Sequence, residues 1–491
     1  MRFRGATVIA AAALAATLAA HAQQAQQAQP AQQAQPAARP QLAPPYVPEG
    51  TAQEQGLAGY AKILCSAVFV QGRDPVEGAM NSAYWMAETN QIPLDQVTYK
   101  IDRNTKTVTA TFGTITRWAR HYGDQGCVLP AHGKNEIAFT PVPVKTTLPD
   151  AMTQAWPMGD KPDTTPLPAE VDKTKLAAAV DAAFENPSAL TAGFIVVYKG
   201  HIIAERYGAG ANKDTQLESW SMGKSIASTL FALLVKDGTY TLDQPAPVAL
   251  WQKPGDPRAT IRNRDLLNMS GGLQFQGNQE PAGERRQPYP DHYYIYTGAV
   301  DSFDYSINRP AEFPPGTMGR YRNCDPLTIG YLIKQAVTKR GETYLSWPQK
   351  VLFDKIGIRR QVIEPDPYGN FIMTGYDFGT ARNWARLGQL YLQDGMWQGT
   401  RILPEGWSMF VSTLAPGWSR PVYGGLFWIN GDGGWNLPKE TYLMAGAGGQ
   451  NVWIDPSHQL VVVRMGQYRG SAPGRRATNN ALTLLVQALE K

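Results

Sequence analysis

Apolar and polar positions alternate most cleanly around residues 97 to 112. Val97, Tyr99 and Ile101 share one face, and Val108, Ala110 and Phe112 repeat the pattern beyond Arg103-Asn104-Thr105-Lys106. Period-two alternation on both sides of a short polar turn predicts a β-hairpin. Ahead of it lie an apolar run, Ile63 to Val70, and a helix-like stretch near Pro75 to Glu88. Residues 51–150 are therefore expected to form a small α/β module with no catalytic constellation of its own. After a Pro- and Thr-rich connector, Asp172 to Phe184 carries the Ala-rich spacing of an amphipathic helix. Phe194 to Tyr198 and His201 to Tyr207 predict two strands joined at Lys199-Gly200. Helical patterns broken by Gly and Pro loops then dominate between about 240 and 410. Strands return at Tyr423 to Ile429, Tyr442 to Ala445, Gln450 to Ile454 and Leu460 to Met465, before a closing helix from about Thr478 to Glu490. Strands at both ends with helices between them predict an α/β (α+β) fold over 151–491: one sheet drawn from both halves of the chain, with a helical region inserted into it.

Composition narrows the picture. A chain of 491 residues, 43% hydrophobic and 18% charged, can bury two or three cores, so disorder of the whole chain is excluded. The first apolar stretch, Ala6 to Ala20, follows Arg2 and Arg4 and ends in Ala20-His21-Ala22. It is shorter than the ~20 residues a spanning helix needs and has the layout of a secretory signal, 1–22. The mature chain is expected to be secreted or periplasmic, with no stable membrane span. Residues 23–50 are near-repetitive Gln, Ala and Pro, a composition expected to stay disordered as a tether. The formal charge of +5 falls to +3 once Arg2 and Arg4 leave with the signal. That is too weak and too scattered to support nucleic-acid binding. In an oxidising compartment Cys65 and Cys127 either form a disulfide, worth about 2 to 4 kcal/mol, or remain two buried thiols. Cys324 is left over, a buried spectator by its neighbours.

Three segments could carry chemistry. In Ser219-Trp220-Ser221-Met222-Gly223-Lys224, followed by an apolar helical run, Ser221 and Lys224 stand three apart. On a helix starting at Ser221 they share a face, and the serine sits where free N–H groups and the helix dipole favour a developing negative charge. A lysine in apolar surroundings loses its proton readily and can take one from a serine. Tyr321-Arg322-Asn323 follows Phe313-Pro314-Pro315-Gly316-Thr317, and a tyrosine and asparagine two apart on an extended loop can enter one cleft. The glycine-rich Met444-Ala445-Gly446-Ala447-Gly448-Gly449-Gln450 is either a tight bend or a bare strand edge. As a strand edge, Gly446 and Gly448 would let substrate approach, and the Ala447 N–H would complete an oxyanion hole with that of Ser221. Of the six histidines His292 is the hardest to dismiss, in the aromatic, polar loop Tyr289-Pro290-Asp291-His292-Tyr293-Tyr294-Ile295-Tyr296. That loop makes Tyr289, His292 and Tyr294 candidates for substrate contact, against the alternative of a packed surface loop. No spacing supports a metal site, and no cofactor is implied.

In this order the segments resemble the serine hydrolases of the β-lactamase and penicillin-binding-protein superfamily. The similarity is to the class C β-lactamase-like branch that includes esterases, D-amino-acid peptidases and 6-aminohexanoate-dimer hydrolases. S-x-x-K matches Ser221 and Lys224, and Y-x-N matches Tyr321 and Asn323. Further landmarks are Asp265-Leu266-Leu267-Asn268-Met269-Ser270-Gly271-Gly272-Leu273, Pro315-Gly316-Thr317, Phe353-Asp354-Lys355-Ile356-Gly357-Ile358, and Gly449-Gln450 through Ile454-Asp455-Pro456. The resemblance covers roughly 190 to 485. It implies a β-lactamase-like fold, an antiparallel sheet flanked by helices, and an acyl-enzyme on Ser221 with Lys224 and Tyr321 as general base and acid. Asn323 would orient Lys224 or substrate. Where those β-lactamases carry K-T-G or H-x-G, this chain has Met444-Ala445-Gly446, with no cation to hold a β-lactam carboxylate. The expected substrate is a small uncharged ester or linear amide. The alternatives are a penicillin-recognising protein of β-lactamase or D-alanyl-peptidase type, and a weakly catalytic cell-wall binding protein. The sequence leaves a homo-oligomer open.

Overall fold

Residues 48–162, 164–278 and 289–490 are described by the structure, a computed structural model. All of them fall in a unit running from Leu42 to Lys491. The leader 1–22 and all but the last three residues of the tether lie outside the described residues.

Helix α1 (Ala52–Phe69) starts with a reciprocal cap: the Thr51 side chain accepts from the Glu54 N–H while Glu54 reaches back to the Thr51 N–H. The apolar run Ile63 to Val70 is its second half. A π-turn at Ala79–Ala83 leads into α2 (Tyr84–Thr89). The anticipated hairpin is β1 (Thr98–Asp102) paired with β2 (Thr107–Phe112), and β3 (Ile115–His121) and β4 (Cys127–Val128) extend it to a four-stranded antiparallel sheet. Leu57, Ala61 and Leu64 of α1 pack with Val108, Ala110 and Ala119 of that sheet, as the alternation requires. A disulfide joins Cys65 to Cys127.

Beyond the connector, α3 (Lys173–Phe184) is capped by Asp172, whose carboxylate accepts the Thr174 and Lys175 N–H groups. Strands β5 (Thr191–Tyr198) and β6 (His201–Tyr207) pair antiparallel, and a two-residue strand, β7 (Leu217–Glu218), delivers the chain to α4 (Gly223–Lys236). The helical region includes α5 (Asp291–Thr297) and α6 (Cys324–Lys339). Strands β8 (Val362–Ile363) and β9 (Asp377–Gly379) join β7 in a small sheet of order β7-β9-β8, and α7 (Ala381–Leu392) follows. The chain ends with β10 (Trp428–Ile429), β11 (Tyr442–Gly446), β12 (Gln450–Asp455), β13 (Leu460–Gly466) and α8 (Ser471–Leu489).

The main sheet is six-stranded and antiparallel, in the order β10-β11-β12-β13-β5-β6, so the N- and C-terminal strands meet at β13 and β5. Alternate residues of β5 separate two cores. Phe194 and Val196 pack with Val462, Leu482 and Leu485 beneath α3 and α8. Ile195 and Val197 pack with Val461, Val463, Trp384 and Leu387 on the α7 side. Every residue of β5 is buried, which explains its unbroken apolar run.

Two boundaries differ from the sequence expectation. Helix α8 begins at Ser471, well before Thr478, because Pro473 falls in the first turn, where a missing N–H leaves no hydrogen bond unmade. Only Trp428 and Ile429 of the stretch from Tyr423 are strand. Ahead of them the chain turns back on itself: Tyr423 bridges Trp428, and the Gly424 N–H bonds the Phe427 carbonyl at 2.9 Å, so the segment bends instead of extending.

Candidate active site

The turn that carries Ser221 is a one-turn 3-10 segment, Trp220–Met222, running into α4. It is anchored from below. The Ser219 N–H bonds the Asp377 carbonyl at 3.0 Å, and the Ser219 hydroxyl donates to the Asp377 carboxylate at 2.7 Å. Burial pushes the Asp377 carboxyl up to about 7. Trp220 carries a φ of +50°, a left-handed conformation that a bulky side chain adopts only when its surroundings hold it there. Ser221 follows at once, and the Lys224 Nζ lies 2.9 Å from its Oγ. Lys224 is 1% exposed, and burial drives its pKa well below the usual lysine value.

A backbone carbonyl organises the site. The Thr374 oxygen accepts from Lys224 Nζ at 2.9 Å, from the Tyr296 hydroxyl at 2.8 Å and from Ser221 Oγ at 3.3 Å. Thr374 was not legible as a site residue, and Tyr296 stood only as the end of the aromatic loop, not singled out from it. A carbonyl carries no residue-type signal, whereas Tyr296 stands four residues after His292, one helical turn along the same face of α5.

Tyr321 closes the other side. Its hydroxyl lies close enough to Ser221 to ease the phenol's ionisation slightly, its ring lies over the Lys224 amine at 4.7 Å, and burial pushes its phenol upward. Trp428 and Tyr423 pack around the ring. Asn323, fully buried ahead of α6, donates through Nδ2 to the Tyr296 hydroxyl at 3.1 Å and to His292 Nδ1 at 3.2 Å. Its contacts thus orient Tyr296 and His292 and not Lys224, while its Oδ1 is buried without a partner among the described residues. His292 reaches the site, with burial and the nearby Lys224 and Arg322 lowering its pKa to about 3. With Nδ1 accepting from Asn323, the ring proton sits on Nε2.

Tyr289 and Tyr294 are corrections. The Tyr294 hydroxyl accepts the Glu49 N–H at 3.2 Å and its ring packs on Tyr305, since position 294 is on the face of α5 opposite to 292 and 296. Tyr289 is buried, with its hydroxyl 3.3 Å from that of Thr297.

The glycine-rich turn is used in two ways. Gly446 ends β11 directly against the Ser221 turn: a Cβ there would lie 2.0 Å from the Ser219 carbonyl and 3.1 Å from the Ser221 nitrogen. Ala447, next in the chain, is exposed at the tip of the β11–β12 turn. Gly448 is instead a turn residue, buried at φ +83°, with its carbonyl held by Arg464 Nη1 at 2.8 Å. Arg464 is fully buried and also donates to the carbonyls of Gly449 and Ala189. A Cβ at Gly449, Gly466 or Gly474 would fall within 3 Å of its guanidinium. Burial lowers its pKa to about 10. Its signal was a lone arginine inside Val461-Val462-Val463-Arg464-Met465. Cys324 is buried, and burial pushes its thiol up. No group of three or more His, Cys, Asp or Glu among the described residues could hold a metal ion.

Fold and site together define a hydrolase of the serine β-lactamase-like class. Residues 176–487 match the family described as Beta-lactamase, and the chain belongs to that family. The 6-aminohexanoate-dimer hydrolase of Paenarthrobacter ureafaciens is 22% identical over 308 residues, which cover 57% of this chain and 73% of that protein. A solved structure from Bacillus anthracis, described as a "putative 6-aminohexanoate-dimer hydrolase", superposes with a TM-score of 0.51 at 19% identity, covering 62% of this chain and 80% of its own. A penicillin-binding protein homologue from Caulobacter crescentus superposes with a TM-score of 0.50 at 16% identity, covering 65% and 99%. These structures share the fold.

Proposed function

We propose that the protein is a secreted or periplasmic serine hydrolase that cleaves an uncharged ester or linear amide through an acyl-enzyme on Ser221. The observation that carries this is the Lys224 amine, buried and 2.9 Å from the Ser221 hydroxyl, with its pKa driven down by burial. A neutral amine there takes the Ser221 proton as Oγ attacks the substrate carbonyl. Negative charge then builds on the carbonyl oxygen, at the start of α4 and beside the end of β11. The Ser221 and Ala447 N–H groups are its donors in this reading. Collapse breaks the bond to the leaving group, which takes up the proton. Tyr321 suits that delivery, because burial keeps its phenol protonated while it stays beside Ser221. Water repeats the sequence on the acyl-enzyme and releases the acid.

Substrate class rests on what lines the site. Met444 and Ala445 occupy the strand where a cation would meet a β-lactam carboxylate, and Met444 is buried. The half-buried rings of Tyr321 and Trp428 pack together beside the site, backed by the buried Tyr423. The name of the curated relative, a 6-aminohexanoate-dimer hydrolase, supports linear amides as candidates beside esters. Export rests on the signal-like leader and agrees with the Cys65–Cys127 disulfide.

Intact-protein mass spectrometry tests the reading. The protein is exposed briefly to p-nitrophenyl esters, a linear aminohexanoate dimer and nitrocefin, with product release followed in parallel. The expected result is an adduct at Ser221 that turns over with the ester or the linear amide, and no turnover by Ser221→Ala. Turnover retained by Ser221→Ala, or an adduct confined to nitrocefin, overturns it.

A further inference from the structure

The family match begins at residue 176, so the segment carrying α1 to β4 lies outside it, yet that segment holds the chain at two points just ahead of Ser221. Glu218, three residues before Ser221, is buried, and its carboxylate accepts the Ser82 hydroxyl at 2.9 Å and the Tyr468 N–H at 3.2 Å. Ser82 in turn accepts from Arg73 at 2.8 Å. Trp220, the residue with φ +50°, meets the edge of Trp85 at 5.4 Å between ring centres. Trp85 is itself stacked on Tyr468 at 4.8 Å and 9°. The π-turn at Ala79–Ala83 helps set this geometry, placing Ser82 under Glu218 just ahead of Trp85.

A second grip acts on the carbonyl hub. Lys62 of α1 forms a buried ion pair with Glu364 and lies 3.7 Å from the centre of the Tyr376 ring. Ser66 and the Cys127 N–H bond the same carboxylate. The Glu364 backbone bonds the Tyr376 carbonyl at 2.8 Å and the Ile372 N–H at 3.1 Å, on either side of Thr374.

We infer that residues 52–128 are a built-in positioning element for this active site, with Ser82 and Trp85 holding Glu218 and Trp220, the run that leads into Ser221 and aims it at Lys224. The inference rests on the proposed Ser221 nucleophile. Trp85 and Ser82 are positioning residues, since their contacts run to the turn and not to the reacting atoms. A displaced serine lowers the chemical step and leaves substrate binding largely intact, because a misplacement of about 1 Å can cost on the order of a hundredfold in rate.

The test uses the full chain and a p-nitrophenyl ester, with Trp85→Ala, Trp85→Phe, Ser82→Ala and Ser221→Ala assayed together beside thermal unfolding and near-UV circular dichroism. Trp85→Ala is expected to lower kcat by about ten- to a hundredfold while KM moves less than about threefold. Trp85→Phe should return most of the rate. Ser82→Ala, the milder change, should lower kcat by about three- to tenfold with cooperative unfolding retained. Parental kcat in both Trp85→Ala and Ser82→Ala overturns the positioning role, as does a raised KM at unchanged kcat in Trp85→Ala. Should Trp85→Ala lose its fold, Ser82→Ala decides alone. Activity retained by Ser221→Ala marks failure of the nucleophile assignment itself, a result independent of the other variants.

Discussion

A lysine sealed from water beside a serine hydroxyl has consequences for stability as well as for rate. In the unfolded chain a lysine titrates at about 10.4. In the fold, burial holds Lys224 well below that. Between the two values the unfolded chain binds the extra proton, so this residue makes stability rise with pH and weakens the fold on the acid side. Lys224→Met should therefore be inactive yet more stable near pH 7, with Tm raised by about 2 to 5 °C, and the gap should narrow as pH approaches 10. Thermal scans of both proteins across that range check it. Activity has the same sign: the rate should climb with pH as Lys224 gives up its proton. Lys224→Arg, which cannot deprotonate, should be slower by about 10³-fold and lack that limb. Ser221, Lys224 and Tyr321, which the proposed mechanism uses, could be singled out in the sequence by side-chain type and spacing, and the fold brings them together. Asp377, which anchors Ser219 from 158 residues away, had no spacing to betray it.

Helix α5 shows how an element reassigns its residues. Read as an aromatic loop, Tyr289, His292 and Tyr294 looked equivalent. Wound into a helix, His292 and Tyr296 turn toward Asn323, and Tyr294 turns to Glu49. The strands were more legible because period-two alternation marks the two faces of a sheet directly. Pro473 hid the first turns of α8, since a proline that suits a helix start reads as a loop. At the end of β11 the decisive contact is steric. Gly446→Ala should push the strand off the Ser219 carbonyl and Ser221 nitrogen, and reduce kcat by about a hundredfold with the fold retained. Steady-state ester hydrolysis and circular dichroism check this, and near-parental kcat would show that the strand end does not set the site.

At the scale of the whole molecule, the Cys65–Cys127 bond fastens α1 to β4 across 62 residues. Reduction should lower unfolding stability by about 2 to 4 kcal/mol, read from denaturant midpoints with and without a reductant. The sequence divided the chain near 150, but Trp85 against Trp220 and Lys62 against Glu364 cross that line, and contacts between distant segments leave no periodic trace. The Thr374 carbonyl is the clearest case, since it gathers Ser221, Lys224 and Tyr296 onto an oxygen that every amino acid possesses. Mutagenesis at codon 374 can shift that oxygen but never delete it. The acceptor is thus inherited through the path of the main chain, and it is open to direct removal only by chemical synthesis that rewrites the backbone.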